Sequence, residues 1–167
     1  MITISLCMIV KNEEAVLARC LDSVKEVVDE IVIVDTGSTD KTKEIAAQYT
    51  GLVYDFAWDD NFSAARNASF ARATKDYILW LDADDVLLPA DRQMLGQLKQ
   101  TLPCDIDVVM MRYNTAFDEN SNPTFFYYRE RLIRRGLPCA WKGRVHEAIE
   151  HGGKKLYSDI AVTHRSV

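Results

Sequence analysis

The chain has no Cys-x-x-Cys spacing. Its four cysteines, Cys7, Cys20, Cys104 and Cys139, are scattered, so neither a zinc site nor a disulfide framework is indicated, and all four are expected as reduced core thiols. Basic residues are in deficit, with 20 Lys and Arg against 25 Asp and Glu and a net charge of -5, which argues against a general nucleic-acid binder. A long hydrophobic run is also missing. The early apolar stretch, Ile2 to Val10, is interrupted by polar residues, has no basic segment before it and stops at Lys11. It fits neither a signal peptide nor a membrane span, so a cytoplasmic protein without an integral membrane segment is expected. There is no Gly-x-Gly-x-x-Gly and no Walker sequence, which disfavours dinucleotide and P-loop binding. No internal repeat, low-complexity tract or heptad series occurs.

What is present is ordinary globular composition, 48% apolar and 27% charged over 167 residues, enough for one domain with a substantial core. Ile2 to Val10 reads as an inner strand, and the polar turn Lys11-Asn12-Glu13-Glu14 leads to a helix from Ala15, with Asn12 as N-cap and Leu17, Leu21 and Val24 on one face. Glu30 to Asp35 is a second strand, Thr36 to Asp40 a small-residue loop, and Lys41 to Tyr49 a second helix. Gly51 to Tyr54 is a short strand, Asp59-Asp60-Asn61 opens an Ala-rich helix from Phe62 to Ala73, and a buried strand then runs from Ile78 into Asp82. Alternation of this kind implies right-handed βαβ units and a parallel sheet, with Glu13, Asp35 and Asp82 on the carboxyl rim where ligands gather. After Pro89 an exposed helix, Ala90 to Gln100, precedes a strand at Val108 to Met111. Phe125 to Tyr128 and Arg131 to Ile133 suggest a hairpin-rich antiparallel extension, entered through the loop Asp118 to Pro123, and Ile160 to Thr163 a last strand before His164.

The most telling stretch is Ile78-Leu79-Trp80-Leu81-Asp82-Ala83-Asp84-Asp85. A strand buried on both faces ends in three acids that repel one another, an arrangement best tolerated around a divalent cation or a partner carrying one. It is not an EF-hand, because Leu87 and Gln93 stand where the loop needs Gly and an acid. A hydrophobic strand before Asp-x-Asp also suits a phosphohydrolase with Asp82 as nucleophile, although no second acidic pair ends a later apolar run. Gly37 lets backbone approach a ligand and Asp35 offers acceptors to a base or ribose. Arg66, among alanines, is aimed at an anion or carboxylate. Trp141-Lys142-Gly143-Arg144-Val145-His146-Glu147 offers base- and phosphate-binding chemistry.

These residues, in this order, resemble the family 2 glycosyltransferases of the GT-A fold. The likeness runs from Ser5 to Glu14 through Ile31 to Asp40, Phe62 to Asn67, Leu81 to Asp85 and Gly143 to Glu147. It implies an α/β, Rossmann-like three-layer sandwich with a mostly parallel central sheet and a small antiparallel C-terminal extension. It further implies one domain over 1–167, with a nucleotide-binding half at 1–89 and an acceptor-side half at 90–167. The activity it implies is inverting transfer of a sugar from a nucleoside-diphosphate donor, UDP-sugar favoured, to a hydroxyl of a glycan, lipid or protein. Carried over by position, Val10, Lys11, Glu13, Asp35, Gly37, Arg66, Asp82, Ala83 and Asp84 would bind the nucleotide sugar. Asp84, Asp85 and His164 would hold Mg2+ or Mn2+. Glu147 is the implied base on the acceptor, with His146 as the other choice. A non-catalytic nucleotide-sugar binding module is the alternative from a different class. The Gln-x-x-Arg-Trp motif of processive synthases is absent, which disfavours polymer synthesis.

Overall fold

The computed structural model describes residues 1–143 and 148–166. The chain runs β1 (Ile4–Val10), α1 (Leu17–Val24), β2 (Glu30–Asp35), α2 (Thr42–Ala47), β3 (Val53–Asp55), α3 (Phe62–Phe70) and β4 (Tyr77–Trp80). It continues through β5 (Asp85–Val86), α4 (Pro89–Thr101), β6 (Val108–Phe117), β7 (Pro123–Arg134), β8 (Cys139–Lys142), β9 (Ala148–His151) and β10 (Lys155–His164). Eight strands form one sheet in the order β3-β2-β1-β4-β7-β6-β10-β5, and β8 with β9 forms a second, two-stranded antiparallel sheet. Within the large sheet β3, β2, β1 and β4 are mutually parallel, as is the β6–β10 pair, while β7 and β5 run antiparallel to their neighbours.

The strands alternate with a period of two and both sets of side chains are buried. Ile4, Leu6, Met8 and Val10 of β1, Ile31 and Ile33 of β2, and Tyr77 and Leu79 of β4 enter one core beneath α1 and α4. Cys7, Val32 and Ile78, one residue out of phase, pack with Phe70 on the opposite face, where α3 lies. In α1, Leu17, Cys20, Leu21 and Val24 repeat at three- and four-residue spacing and are all buried. Each fully buried Leu or Val there contributes about 1.5–3 kcal/mol. Helix α3 buries small residues, Ser63, Ala65 and Ser69, so its backbone sits close to β1, and Asn61 caps it by accepting the Ala64 N–H at 3.1 Å.

Several expectations are corrected. Asn12 does not cap α1: Val16 occupies the N-cap, and Asn12 takes a left-handed conformation, φ 53°, from which Oδ1 accepts the Thr39 N–H at 2.8 Å. It ties the β1 loop to the β2 loop instead. Helix α4 is not simply exposed, since Leu95 is fully buried and Asp91 accepts the Ala161 N–H at 2.9 Å where the β6–β10 register shifts. The segments 125–128 and 131–133 are one twelve-residue strand, β7, paired along β6. Of the cysteines, Cys7 and Cys20 are buried, whereas Cys139 is only partly covered and Cys104 is exposed. Trp141 is no platform for a base: it is 2% exposed and packs edge-on against Trp80 with centroids 4.8 Å apart. The proposed bases His146 and Glu147 lie outside the described residues. Among the described residues no helix is long and apolar enough to cross a membrane.

Candidate functional site

The parallel strands β1, β2 and β4 end side by side, with Val10 paired to Asp35 and Cys7 to Trp80, so the loops after them share one rim. A cleft of about 520 Å3 opens there, lined by Ile9, Val10, Lys11, Glu13, Thr36, Trp58, Phe62, Arg66, Asp82, Ala83 and Asp84. A larger, more open hollow of about 670 Å3 is lined by Lys25, Asp29, Glu30 and Lys75 at the amino ends of the strands. The rim cleft is the candidate, because loops at the carboxyl ends are those an α/β sheet offers to ligands.

The acids after β4 form a tight turn in which the Asp85 N–H donates to the Asp82 carbonyl at 3.0 Å. The Asp85 carboxylate returns the contact, accepting the Asp82 N–H at 2.9 Å. The three carboxylates then part company. Asp82 accepts from Arg66 Nη2 at 2.7 Å, and Arg66, 6% exposed, is held over the rings of Trp80 and Trp141, each 4.9 Å from its guanidinium carbon. Burial pushes the Asp82 carboxyl up, but the charges of Arg66 and Arg131 outweigh it and hold the group below the usual carboxylate range. Asp85 is wholly buried, accepting from Tyr113 Oη at 2.7 Å and from Arg131 Nη1 at 3.3 Å. Burial pushes its carboxyl up, against the pull of Arg131. Asp84 stays about one-third exposed and faces His164, with Oδ2 3.7 Å from Nδ1. Ligand atoms of Asp84, Asp85 and His164 lie within 4.8 Å of one another.

At the end of β2, Asp35 is 1% exposed. Its Oδ1 accepts the N–H groups of Gly37 at 2.9 Å and Ser38 at 2.8 Å, while Oδ2 is buried with no partner among the described residues. Such an orphan acceptor costs free energy unless a donor arrives. Gly37 has φ +114° and open space where a Cβ would stand, so backbone conformation and not crowding selects glycine. Asp35 and Gly37 flank Thr36, which lines the cleft. Glu13 sits on the β1 loop with its N–H donating to Thr42 Oγ1 at 2.8 Å. Partial burial and the charges of Asp84, Asp82 and Asp40 push its carboxyl up.

Of the residues proposed from sequence, Val10, Lys11, Glu13, Arg66, Asp82, Ala83 and Asp84 meet in the cleft, and Asp85 and His164 adjoin it through Asp84. Sequence reasoning passed over Trp58 and Phe62, whose rings meet edge-on at 4.8 Å and form an aromatic wall, with Lys11 Nζ 5.5 Å from the Trp58 centroid. Their one signal was an aromatic pair flanking the Asp59-Asp60-Asn61 cap. Tyr113 and Arg131 were missed as well.

A family model described as Glycosyl transferase family 2 matches residues 5–158. Among curated proteins, a TPR repeat-containing protein of Synechococcus elongatus is 48% identical over 151 residues, covering 90% of this chain and 36% of its own length. The SPbeta prophage-derived glycosyltransferase SunS of Bacillus subtilis is 30% identical over 148 residues, covering 87% of this chain and 34% of its own. The chain thus spans about a third of the curated relatives it matches. Among solved structures, glucosyl-3-phosphoglycerate synthase from Mycobacterium tuberculosis, in complex with Mg2+ and UDP, aligns with a TM-score of 0.55 and 26% identity. That alignment covers 67% of this chain and 44% of the synthase. Staphylococcus aureus TarS, residues 1–349, aligns with a TM-score of 0.58 at 20% identity over 70% of this chain and 37% of its own, a likeness of fold.

Proposed function

Because this chain belongs to glycosyl transferase family 2 and has the GT-A fold, we propose that its rim cleft takes a nucleoside-diphosphate sugar, uridine favoured, and passes the sugar with inversion to an acceptor hydroxyl. One observation carries the reading: acids from the loops after two adjacent parallel strands, Glu13 after β1 and Asp82 with Asp84 after β4, line a single cleft of about 520 Å3, while Asp35 at the end of β2 lies buried beside it, next to the lining residue Thr36. The buried, partnerless Asp35 Oδ2 is an acceptor of the kind a uracil imide N–H fills, and the UDP in the 26%-identical synthase supports that base. Lys11, Trp58 and Phe62 supply a cation and apolar ring faces to the same cleft.

The donor set at Asp84 and His164 fits a divalent ion. One anionic oxygen and one imidazole stand 3.7 Å apart, both partly open, and no guanidinium bonds Asp84 among the described residues. Asp84 and His164 would hold Mg2+ or Mn2+, with Asp85 behind them. A bound ion supplies positive charge to the diphosphate as the sugar–phosphate bond breaks. On the protein's side, Arg66 locks the Asp82 carboxylate, so this acid receives ligand hydroxyls in a set position rather than acting as a nucleophile. The half at 1–89 is assigned to the nucleotide and that at 90–167 to the acceptor. Glu147, or else His146, takes the acceptor proton.

The test is thermal unfolding with UDP, with and without Mn2+, of the wild type and Asp84→Ala. Ligand at one hundred times its Kd adds about 2.7 kcal/mol, which at roughly 2–4 °C per kcal/mol raises Tm by about 5–11 °C. The rise is expected to vanish in EDTA and in the variant. Stabilisation by UDP that ignores both, or none from any nucleoside diphosphate, refutes the site. Donor that binds with metal yet is never turned over, even to water, identifies a binding module instead.

A further inference from the structure

Trp58 lies in the segment between β3 and α3 and is partly exposed, whereas Trp80 and Trp141 are each 2% exposed. It belongs to none of the hydrophobic core clusters among the described residues, and neither does Phe62, the ring that meets it edge-on. Packing of the core therefore does not explain the pair. The indole is nevertheless held in place. Its Nε1 donates to Asp60 Oδ1 at 2.9 Å, and Asp60 takes a left-handed backbone, φ 61°, that most side chains avoid. Phe62 stands at 71° to it, so loop and neighbour together fix the indole as one wall of the rim cleft.

Position gives this wall a use. In the β2 and β3 pairing Asp55 stands opposite Asp35, and the Phe56 N–H donates to the Asp35 carbonyl at 2.8 Å. Trp58 follows two residues later, which keeps its Cα within about 7 Å of that of Phe56. The Trp58 ring and the buried, partnerless Asp35 Oδ2 thus share one corner of the rim, beside the lining residue Thr36. A buried acceptor reads the edge of a ligand, and an aromatic ring takes its face. A planar heterocycle with an edge N–H uses both at once. Lys11 Nζ, 5.5 Å from the Trp58 centroid, supplies a cation next to the ring, where phosphates attached to such a base need one. We infer that Trp58, fixed by Asp60, is the platform on which the nucleobase of the donor stacks, and so a binding residue that selects ligands carrying a flat base. The inference rests on the reading of the rim cleft as a nucleotide-sugar site.

Trp58 is its own probe, because it alone of the three tryptophans is not buried and iodide quenches its emission preferentially. On the full chain with Mg2+, UDP is expected to shield this emission from iodide, and pyrophosphate, which has no base, to leave it quenchable. By calorimetry, Trp58→Ala should weaken the Kd for UDP about 5- to 100-fold, as removal of an aromatic beneath a stacked base does. Trp58→Phe keeps a ring and should recover most of that loss. If UDP binds the wild type and Trp58→Ala binds it as tightly, the platform is refuted and the donor site stands. Equal weakening in both variants, with the Tm of the metal-free protein lowered alike, also refutes it, since the indole then only holds the loop. If no nucleoside diphosphate binds the wild type, the nucleotide reading of the cleft fails, and the role of Trp58 with it.

Discussion

Arg131→Met removes the cation from the core and leaves nearly the same volume. In the wild type both Arg131 and Asp85 are 0% exposed, so neither charge is screened by water. After the substitution Asp85 keeps the Tyr113 hydroxyl and the Asp82 N–H but is an uncompensated anion. Removing one member of a buried pair costs about 3–5 kcal/mol. The lost stacking on Trp80 and Tyr113 falls within that figure, since the methionine chain still covers both rings. For a chain of this size the Tm falls by roughly 6–20 °C. The assay is urea unfolding in EDTA followed by tryptophan fluorescence, repeated for Asp85→Asn and for the double variant. With both charges gone no unpaired charge is left behind, so the double variant should be more stable than the sum of the single losses predicts by about 1–3 kcal/mol. A loss under about 1 kcal/mol for Arg131→Met, or additivity within about 0.5 kcal/mol, shows that the two do not act as a pair.

Asn61→Ala removes the oxygen that accepts the Ala64 N–H and is expected to lower stability by about 1 kcal/mol, read from the urea midpoint at unchanged slope. No change would mean that water caps α3 equally well. At the amino ends of the strands, Asp76 accepts the Thr3 N–H, Glu30 the Thr74 N–H and Asp29 the Ile4 N–H. These bonds hold Asp76 below its ordinary value, and for Glu30 and Asp29 hydrogen bonds and neighbouring lysines outweigh the upward push of burial. With folded values below unfolded ones, their stabilisation is complete above about pH 4 and is lost as pH falls through the lower folded values. Glu13 and Asp91, pushed up by burial, bias global stability the other way, so the local readout is the amide shifts of Thr3, Ile4 and Thr74. These should titrate with midpoints below about 3.9–4.3; midpoints above that range reverse the sign.

The first half of the chain was legible because its signals are local. Glu30 to Asp35 is a continuous apolar run closed by a polar residue on each side, and it forms β2 over those same residues. The helical crossovers that keep β1, β2 and β4 parallel also cover both faces of the sheet, which makes the run continuous, and the shared strand direction places Glu13, Asp35 and Asp82 on one rim. The second half was read poorly because its determinants are distant. β7 carries exposed Phe125, Phe126, Tyr127 and Tyr128 beside buried Leu132 and Ile133, so its two ends look like different elements until β6 pairs along both. Trp141 looked available because a lone aromatic near basic residues suits a ligand, yet Trp80 and Phe70, far away in sequence, enclose it.

The acidic turn shows the same limit at the scale of single charges. Read in isolation, Asp82, Asp84 and Asp85 are three repelling carboxylates that ask for one cation among them. In the fold two already have one each: Arg66, sixteen residues before Asp82, and Arg131, forty-six after Asp85. Neither spacing follows any secondary-structure period, so no local pattern announces the pairing. Repulsion at Asp82 and Asp85 is thus relieved by two guanidinium groups, and Asp84 stands apart from both. Asp84 is the acid left outside the two guanidinium pairs, and at 3.7 Å from His164 it is the acid that a divalent ion would reach first. A metal requirement in this chain should accordingly follow Asp84 and His164 substitutions closely.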